Sequence, residues 1–330
     1  MTYSANDNRY SDMPYNYCGE SGLQLSAVSL GLWHGFGTDD DYNNSRDMLT
    51  TAFDLGINHF DLANNYGPLA GAAEKTFGKV LKQELGSYRD ELCIATKAGH
   101  YMWPGPYGDG GSKKYLISSL DQSLGRMGLE YVDIFYHHRP DPNTPMEETA
   151  EALTQIVQSG KALYIGISKY FSDDAREMYQ LLAESGIHCV IEQVRHSMLV
   201  HPFKDDGLFD TLKEMGMGSI VFSPLAGGLL TDRYINGIPA DSRATRSEFL
   251  NKDDITAELV GKVIKLNKIA ERRGQSMAQM AMAWAANEPS VASVLIGASK
   301  PSQIIDNVKA LDNGSFTSEE LAEIDKILTE

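Results

Sequence analysis

Apolar and polar positions along this chain follow two alternating rhythms. Short runs dense in β-branched or apolar residues recur at residues 27–33 (AVSLGLW), 57–63 (INHFDLA), 92–98 (LCIATKA), 132–138 (VDIFYHH), 162–168 (ALYIGIS), 189–194 (CVIEQV), 219–224 (SIVFSP) and 291–297 (VASVLIG). Most of these eight runs carry too little polar alternation for half-exposed strands, and so suit a parallel sheet covered by helices. Segments with helical spacing of apolar residues separate them: NSRDMLTTAFDLG, AAEKTFGKVLKQELG, KYLISSLDQSLGRMG, MEETAEALTQIVQSG, SDDAREMYQLLAESG and DGLFDTLKEMG. Most close on a Gly just before the next strand, as Gly56 does for the first, which is the expected left-handed helix stop. The fifth opens on Ser172 and Asp173, residue types that cap helix starts. Two helices near 256–273 and 276–287 precede the last strand, and helices near 301–311 and 318–328 end the chain.

Strict strand–helix alternation around eight strands predicts an α/β fold of the (β/α)8 TIM-barrel type, with extra C-terminal helices. The rival is a doubly wound open sheet, which usually carries a Gly-rich phosphate turn after its first strand. No GxGxxG follows residues 27–33, and no GxxxxGK[ST] occurs anywhere. NYCGESGLQLSAV reads as a small hairpin turning at Gly19–Gly22, at the base of the barrel. With no linker, repeat or low-complexity tract, residues 1–330 form one expected domain, with residues 1–16 as a flexible leading segment.

Composition narrows the partners. The formal net charge is −16, from 29 basic and 45 acidic residues, so the surface should repel nucleic acid and anionic lipid. A few local Lys or Arg residues can still hold an anionic ligand. Cys18, Cys93 and Cys189 are far apart, with no CxxC and no Cys/His ligand spacing, so neither a disulfide framework nor a metal site is expected. The polar N-terminus has no apolar signal region, and no apolar stretch approaches membrane-span length; a cytoplasmic protein is expected.

Active sites of such barrels lie at the C-terminal ends of the strands. Asp61 ends the second predicted strand, Lys97 the third and His138 the fourth, while Tyr66 follows Asp61 in the loop DLANNYG. Alone, each has an ordinary explanation: a helix cap, a solvated tip, a packed histidine, a packed tyrosine. Together at adjacent strand ends they converge on one mouth. A carbonyl reduced by hydride becomes an alkoxide that needs a proton. Tyrosine is a poor acid, with a reference pKa of about 10. A buried ammonium at Lys97 would lower it, Asp61 would hold Lys97, and His138 would orient the carbonyl oxygen.

These motifs, GINHFDLANNYG with IATKAG and VDIFYHHRPD, resemble the aldo-keto reductases from about residue 17 to the C-terminus. The resemblance implies a catalytic tetrad of Asp61, Tyr66, Lys97 and His138. His138 is chosen over His137 because the family places the catalytic histidine five residues beyond the Asp matched by Asp133. It also implies NADPH/NADP bound by the barrel mouth. Ser168 and Gln193 match residues that hold the nicotinamide carboxamide, and Phe222 the ring stacked on it. Ser223, Leu225 and Gly227 match the pyrophosphate loop. Ser299, Lys300, Gln303, Asp306 and Asn307 match the adenosine site, with Arg233 and Arg243 near the 2′-phosphate as in the branch containing potassium-channel β-subunits. Asp61 and Trp33 complete the cofactor set, and Trp33, Tyr66, Trp103 and His138 are the candidate substrate wall. Three positions depart from the family pattern: Lys169 for a common Asn, His196 for a common Tyr and Asp306 for a common Glu.

Within the family, KAGHYMWPGPYG and QSGKALYIGIS most resemble bacterial L-glyceraldehyde-3-phosphate reductases. That likeness implies a small carbonyl substrate such as glyceraldehyde 3-phosphate or methylglyoxal, and a homo-oligomer, tetramer or octamer. The alternative is an NADPH-binding regulatory or redox-sensing subunit with weak turnover. A metal-dependent barrel enzyme would need clustered ligands, and only Asp61, His137 and His138 stand at suitable strand ends.

Overall fold

A computed structural model describes residues 3–67, 69–235, 237–238, 253 and 255–330. The chain begins with an antiparallel hairpin, β1 (Tyr15–Tyr17) and β2 (Gln24–Ser26). Each of the apolar runs then becomes a strand: β3 (Val28–Gly31), β4 (His59–Asp61), β5 (Cys93–Ala98), β6 (Val132–His137), β7 (Ala162–Ser168), β8 (Cys189–Arg195), β9 (Gly218–Phe222) and β10 (Val291–Ile296). They pair in parallel and close in the order β10-β3-β4-β5-β6-β7-β8-β9. This is the predicted (β/α)8 barrel.

The helices occupy the expected intervals. Among the described residues these are α1 (Tyr42–Asp54), α2 (Ala72–Val80), α3 (Lys113–Met127), α4 (Met146–Gln158), α5 (Ser172–Glu184), the short α6 (Pro202–Asp205), α7 (Leu208–Glu214), α8 (Ala257–Arg272), α9 (Met277–Ala285), α10 (Pro301–Val308) and α11 (Ser318–Thr329). None is long and apolar enough to cross a membrane. Gly56 ends the α1 turn at φ 84°, the left-handed region glycine enters without a Cβ penalty. Ser172 departs from expectation. It is already helical, and both its N–H and its hydroxyl donate to Asp206 instead of capping α5.

Alternation along the strands sorts the core. Cys93, Ala95, Ile134, Tyr136, Ile191 and Ile220 pack together with Cys18 and Leu25 of the hairpin. The hairpin therefore plugs the base: Asn16 donates to the Ala292 carbonyl, and the Glu20 N–H to the Gly216 carbonyl. All three cysteines are buried free thiols. The leading segment is not the loose tail expected from its polarity. Tyr3 Oη donates to Asp54 at 2.7 Å, the Ala5 N–H to Tyr88 Oη at 3.0 Å, and Met13 is buried. Its few apolar and aromatic residues find partners on α1 and its surroundings, which no local pattern announces.

Register is what matters for the site. Gly31 pairs with Asp61, Lys97 with Tyr136 and Ser168 with Gln193, so the C-terminal strand ends stand level at one mouth. Close packing beneath that mouth fixes the register. A Cβ at Gly166 would lie 2.4 Å from the buried Tyr136 ring and 2.9 Å from Ile191. Gly166→Ala is therefore expected to cost about 1–3 kcal/mol through overpacking, read as a lower urea midpoint at unchanged slope. An unshifted midpoint would show that the barrel interior yields.

Candidate active site

Lys97 ends up with no contact with water. Its Nζ lies 2.6 Å from each oxygen of Asp61 and 2.7 Å from the Leu62 carbonyl, with both charged side chains fully buried. Three acceptors meet the three N–H donors of an ammonium. Gln193 Nε2 donates to Asp61 Oδ1 at 3.0 Å, joining β8 to the pair. Burial pulls the Lys97 ammonium below its usual value, and the Asp61 carboxylate opposes that shift.

Tyr66 sits over this pair, its ring centre 5.0 Å from Lys97 Nζ. Its loop is held by hydrogen bonds from Tyr66 N to the Ala63 carbonyl and from Ala73 N to the Tyr66 carbonyl. His138 meets the Tyr66 ring edge-on at 5.9 Å, and Trp33 lies near parallel at 6.2 Å. His137 goes elsewhere: its Nδ1 is 2.6 Å from Tyr170 Oη. Strand alternation thus sends the two adjacent histidines to opposite sides, with His138 at the mouth.

The electrostatics revise one expectation. Burial, then the Asp61 carboxylate, pushes the Tyr66 phenol well above its ordinary value. The charge of Lys97 is committed to Asp61, and burial with the Asp61 carboxylate holds the proton on the phenol. His138 is driven well below the usual histidine range, first by burial, then by Lys97 and Lys169 and by its neighbours His100 and His137. Its ring is neutral. Its buried Nδ1 has no hydrogen-bond partner.

The remaining predicted contacts fall into three groups. Ser168 Oγ donates to the Gln193 carbonyl at 2.8 Å, which leaves its lone pairs as acceptors at the buried strand end. Phe222 ends β9, and the backbone beyond it is contorted: Ser223 has φ 57°, Leu225 φ −94° and ψ 10°, Ala226 φ 48° and Gly227 φ 74°. Alternating right- and left-handed residues can turn N–H groups to one side, a concavity suited to a phosphate. Here Pro224 has no N–H and the Ala226 N–H donates to the Ser223 carbonyl, which leaves those of Leu225 and Gly227. At the start of α10, Ser299 N and Oγ both donate to Gln303 Oε1, while Lys300 and Pro301 open the helix. Asn307 is buried, and Asp306 already accepts from Gln279 Nε2 at 3.1 Å. Arg233 lies exposed in the turn after β9, whereas Arg243 falls outside the described residues. Trp103 packs its ring on Tyr115 of α3 at 5.4 Å; Trp33, 40% exposed, stacks on His34.

One mouth residue, His100, has no role in the sequence analysis, and Lys169 appears there only as a departure from the family pattern. His100 stands perpendicular to His138 with ring centres 4.4 Å apart, and Lys169 Nζ lies 3.2 Å from His100 Nε2. Position was the available signal, since His100 lies three residues past Lys97 and Lys169 directly follows Ser168. Among the described residues, no group of three or more His, Cys, Asp or Glu side chains is arranged to hold a metal ion.

The aldo/keto reductase family model matches residues 27–329. The chain belongs to this family. It is 54% identical over 330 residues to the L-glyceraldehyde 3-phosphate reductase of Escherichia coli strain K12, covering 99% of this chain and 95% of that protein. A putative voltage-gated potassium channel subunit beta of Schizosaccharomyces pombe is 38% identical over 328 residues, covering 96% and 94% of the two chains. A probable subunit of the same kind from Arabidopsis thaliana is 35% identical over 306 residues, covering 91% and 92%. As an aldo/keto reductase the chain is an oxidoreductase, and its sequence continuity with these relatives spans the whole barrel.

Buried neutral histidines make this aldo/keto reductase sensitive to acid. His59, His100 and His137 are lowered to about 4 and His196 to about 3, in each case first by burial, and His138 lies lower still than an ordinary histidine. Below pH 6.5 the unfolded chain takes up protons that the folded one refuses. Glu192 and Asp133, raised by burial, act in the opposite sense. The histidines outnumber them, so stability falls as pH drops from 6.5 toward 4, by about 1.4 kcal/mol per pH unit for each net proton. Urea midpoints at pH 7.5 and 5.5 test the sign: a higher midpoint at pH 5.5 would refute it.

Proposed function

We propose that this chain reduces small aldehydes to alcohols, with NADPH as the hydride donor and Tyr66 as the proton donor. The observation that carries the reading is Tyr66, edge-on to His138, above a fully buried Lys97–Asp61 pair. NADPH supplies hydride to the carbonyl carbon when bound. The residues present fit a dinucleotide: the concave backbone from Ser223 to Gly227 suits its pyrophosphate. Ser168 and Gln193 suit the carboxamide, Phe222 the ring, and Ser299, Lys300, Gln303 and Asn307 the adenosine end. The start of α10 at Pro301 favours an anion electrostatically.

A substrate oxygen that gains negative charge becomes a far stronger base than a phenolate. Tyr66, raised by burial and then by Asp61, holds its proton until that base appears. The resulting phenolate faces the Lys97 ammonium, whose position Asp61 and the Leu62 carbonyl maintain. His138, being neutral, offers one N–H that orients the oxygen without competing as an acid. Low polarity around the mouth strengthens both contacts.

Likeness to the E. coli reductase supports glyceraldehyde 3-phosphate as substrate, with methylglyoxal as a smaller aldehyde of the same class. Tyr66→Phe is expected to lower kcat by about 10²–10⁴ while NADPH still binds, measured by fluorescence titration beside a steady-state assay. Turnover near that of the unaltered enzyme would sink the proton-donor assignment. Slow turnover of the unaltered enzyme on every aldehyde, with tight NADPH binding, would favour a regulatory subunit instead. Lys300, Ser299 and Arg233 should favour NADPH over NADH by about tenfold, the effect of one charge-assisted contact of about 1.4 kcal/mol. Equal affinities would count against that role.

A further inference from the structure

We infer that Lys169, with His100 and Arg139, forms a receptor for the phosphate group of a phosphorylated aldehyde, at the edge of the carbonyl site. This deepens the reductase reading and rests on it. Lys169 follows the last residue of β7, and its N–H donates to the Gln193 carbonyl at 3.1 Å, tying it to β8. Its side chain runs the opposite way, across the end of β6, to His100 beyond β5. There the ammonium adjoins the imidazole that stands edge-on to His138, whose ring also meets Tyr66 edge-on. Arg139 is next in the chain after His138, its Nε donating to the Gly99 carbonyl at 2.8 Å and its Nη2 to Asp109 at 3.0 Å.

Two costs converge on Lys169. Its backbone is left-handed, with φ 64°, a conformation that strains any residue bearing a side chain. Its ammonium is half-buried, and among the described residues no carboxylate lies within ion-pairing distance of it. Burial first, then Lys97 and Arg139, pull it down to about 8. His100, lowered to about 4 by burial first and then by Lys169 and Arg139, is neutral; it accepts from the ammonium and aims it. In a chain of net charge −16 such a corner is uncommon. An anion completes it.

Phosphate could come from the substrate or from the cofactor's pyrophosphate. The side chain's direction favours the substrate, because the concave loop of Ser223–Gly227 follows β9, while Lys169 reaches away from β8 and β9 toward β5. In glyceraldehyde 3-phosphate the phosphate sits two carbons beyond the carbonyl carbon, so one molecule presents both groups to neighbouring strand ends.

The test compares glyceraldehyde 3-phosphate with glyceraldehyde at saturating NADPH, in the unaltered enzyme, Lys169→Met and Lys169→Arg. Lys169→Met should lower the ratio of kcat/KM values, phosphorylated over unphosphorylated, by about tenfold to a hundredfold, chiefly through KM, and Lys169→Arg should restore most of it. Calorimetric titration with glycerol 3-phosphate, which has the phosphate but no carbonyl, reads the receptor without turnover. Its binding should weaken in Lys169→Met by a similar factor. An unchanged ratio or unchanged glycerol 3-phosphate binding overturns the proposal. So does a loss of NADPH affinity with equal losses on both aldehydes, which would assign the lysine to the cofactor. If the unaltered enzyme binds glycerol 3-phosphate through Lys169 yet reduces neither aldehyde, the reductase reading fails and the receptor stands.

Discussion

The buried ion pair of Lys97 and Asp61 is the constraint on which the mouth of this barrel depends. Removing both charges from water is costly, and the cost is recovered only by near-complete hydrogen bonding. Two carboxylate oxygens and the Leu62 carbonyl meet the ammonium, and Gln193 adds a donor to Asp61 from across the barrel. Losing one partner would strand a buried charge. The pair therefore fixes the ends of β4, β5 and β8 relative to one another, and its two charges act separately on what lies above it. Tyr66 keeps its proton because burial and then the Asp61 carboxylate oppose its loss, and His138 remains uncharged because burial and then the Lys97 ammonium oppose its protonation.

How much of this is legible in the amino acids depends on range along the chain. Strands and helices are local: β-branched runs, amphipathic spacing and terminal glycines mark them, and the eight strands of the barrel form where those runs occur. The strand-end cluster is legible because fold class converts sequence position into place; Asp61, Lys97 and His138 need only stand at or beside the C-terminal ends of their strands. Less visible are contacts between distant positions. Gln193 reaches Asp61 across 132 residues, and Lys169 reaches His100 across 69. The docking of Tyr3 and Ala5 is hidden for the same reason, as is the diversion of Ser172 to Asp206. Polarity reports what a segment can tolerate, not what it touches. Charge balance is hidden too. Seen as residues, Lys97 is a cation beside a tyrosine; seen in space, its charge is already paired.

Strain is placed with similar economy. Among the described residues, the non-glycine residues with left-handed backbone are Lys169, Ser223 and Ala226, and all follow the C-terminal ends of β7 or β9. Each costs free energy that a more relaxed loop would avoid. The barrel tolerates them because its interior is closely packed, as the tight approach of Gly166 to Tyr136 shows. Rigid strands below and strained turns above are complementary, for turns that are to hold phosphate groups at set positions, as proposed, cannot be free to relax.

The three lysines at strand and helix ends then divide the electrostatic work by how their charges are balanced. Lys97 is paired and buried, so in the proposed mechanism it would stabilise a charge that appears only after proton transfer. Lys300 begins a helix, where the macrodipole adds to its own charge and the setting is exposed. Lys169 has a neutral imidazole instead of a carboxylate, so its field remains available to a ligand. A strongly acidic protein can in this way attract an anion to one corner of its mouth: the remote carboxylates are screened over roughly 8–10 Å of salt solution, while a half-buried cation acts at contact. The same acidity that disfavours nucleic acid as a partner is thus compatible with an anionic small molecule, provided the ligand is short enough to feel Lys169 and Tyr66 together.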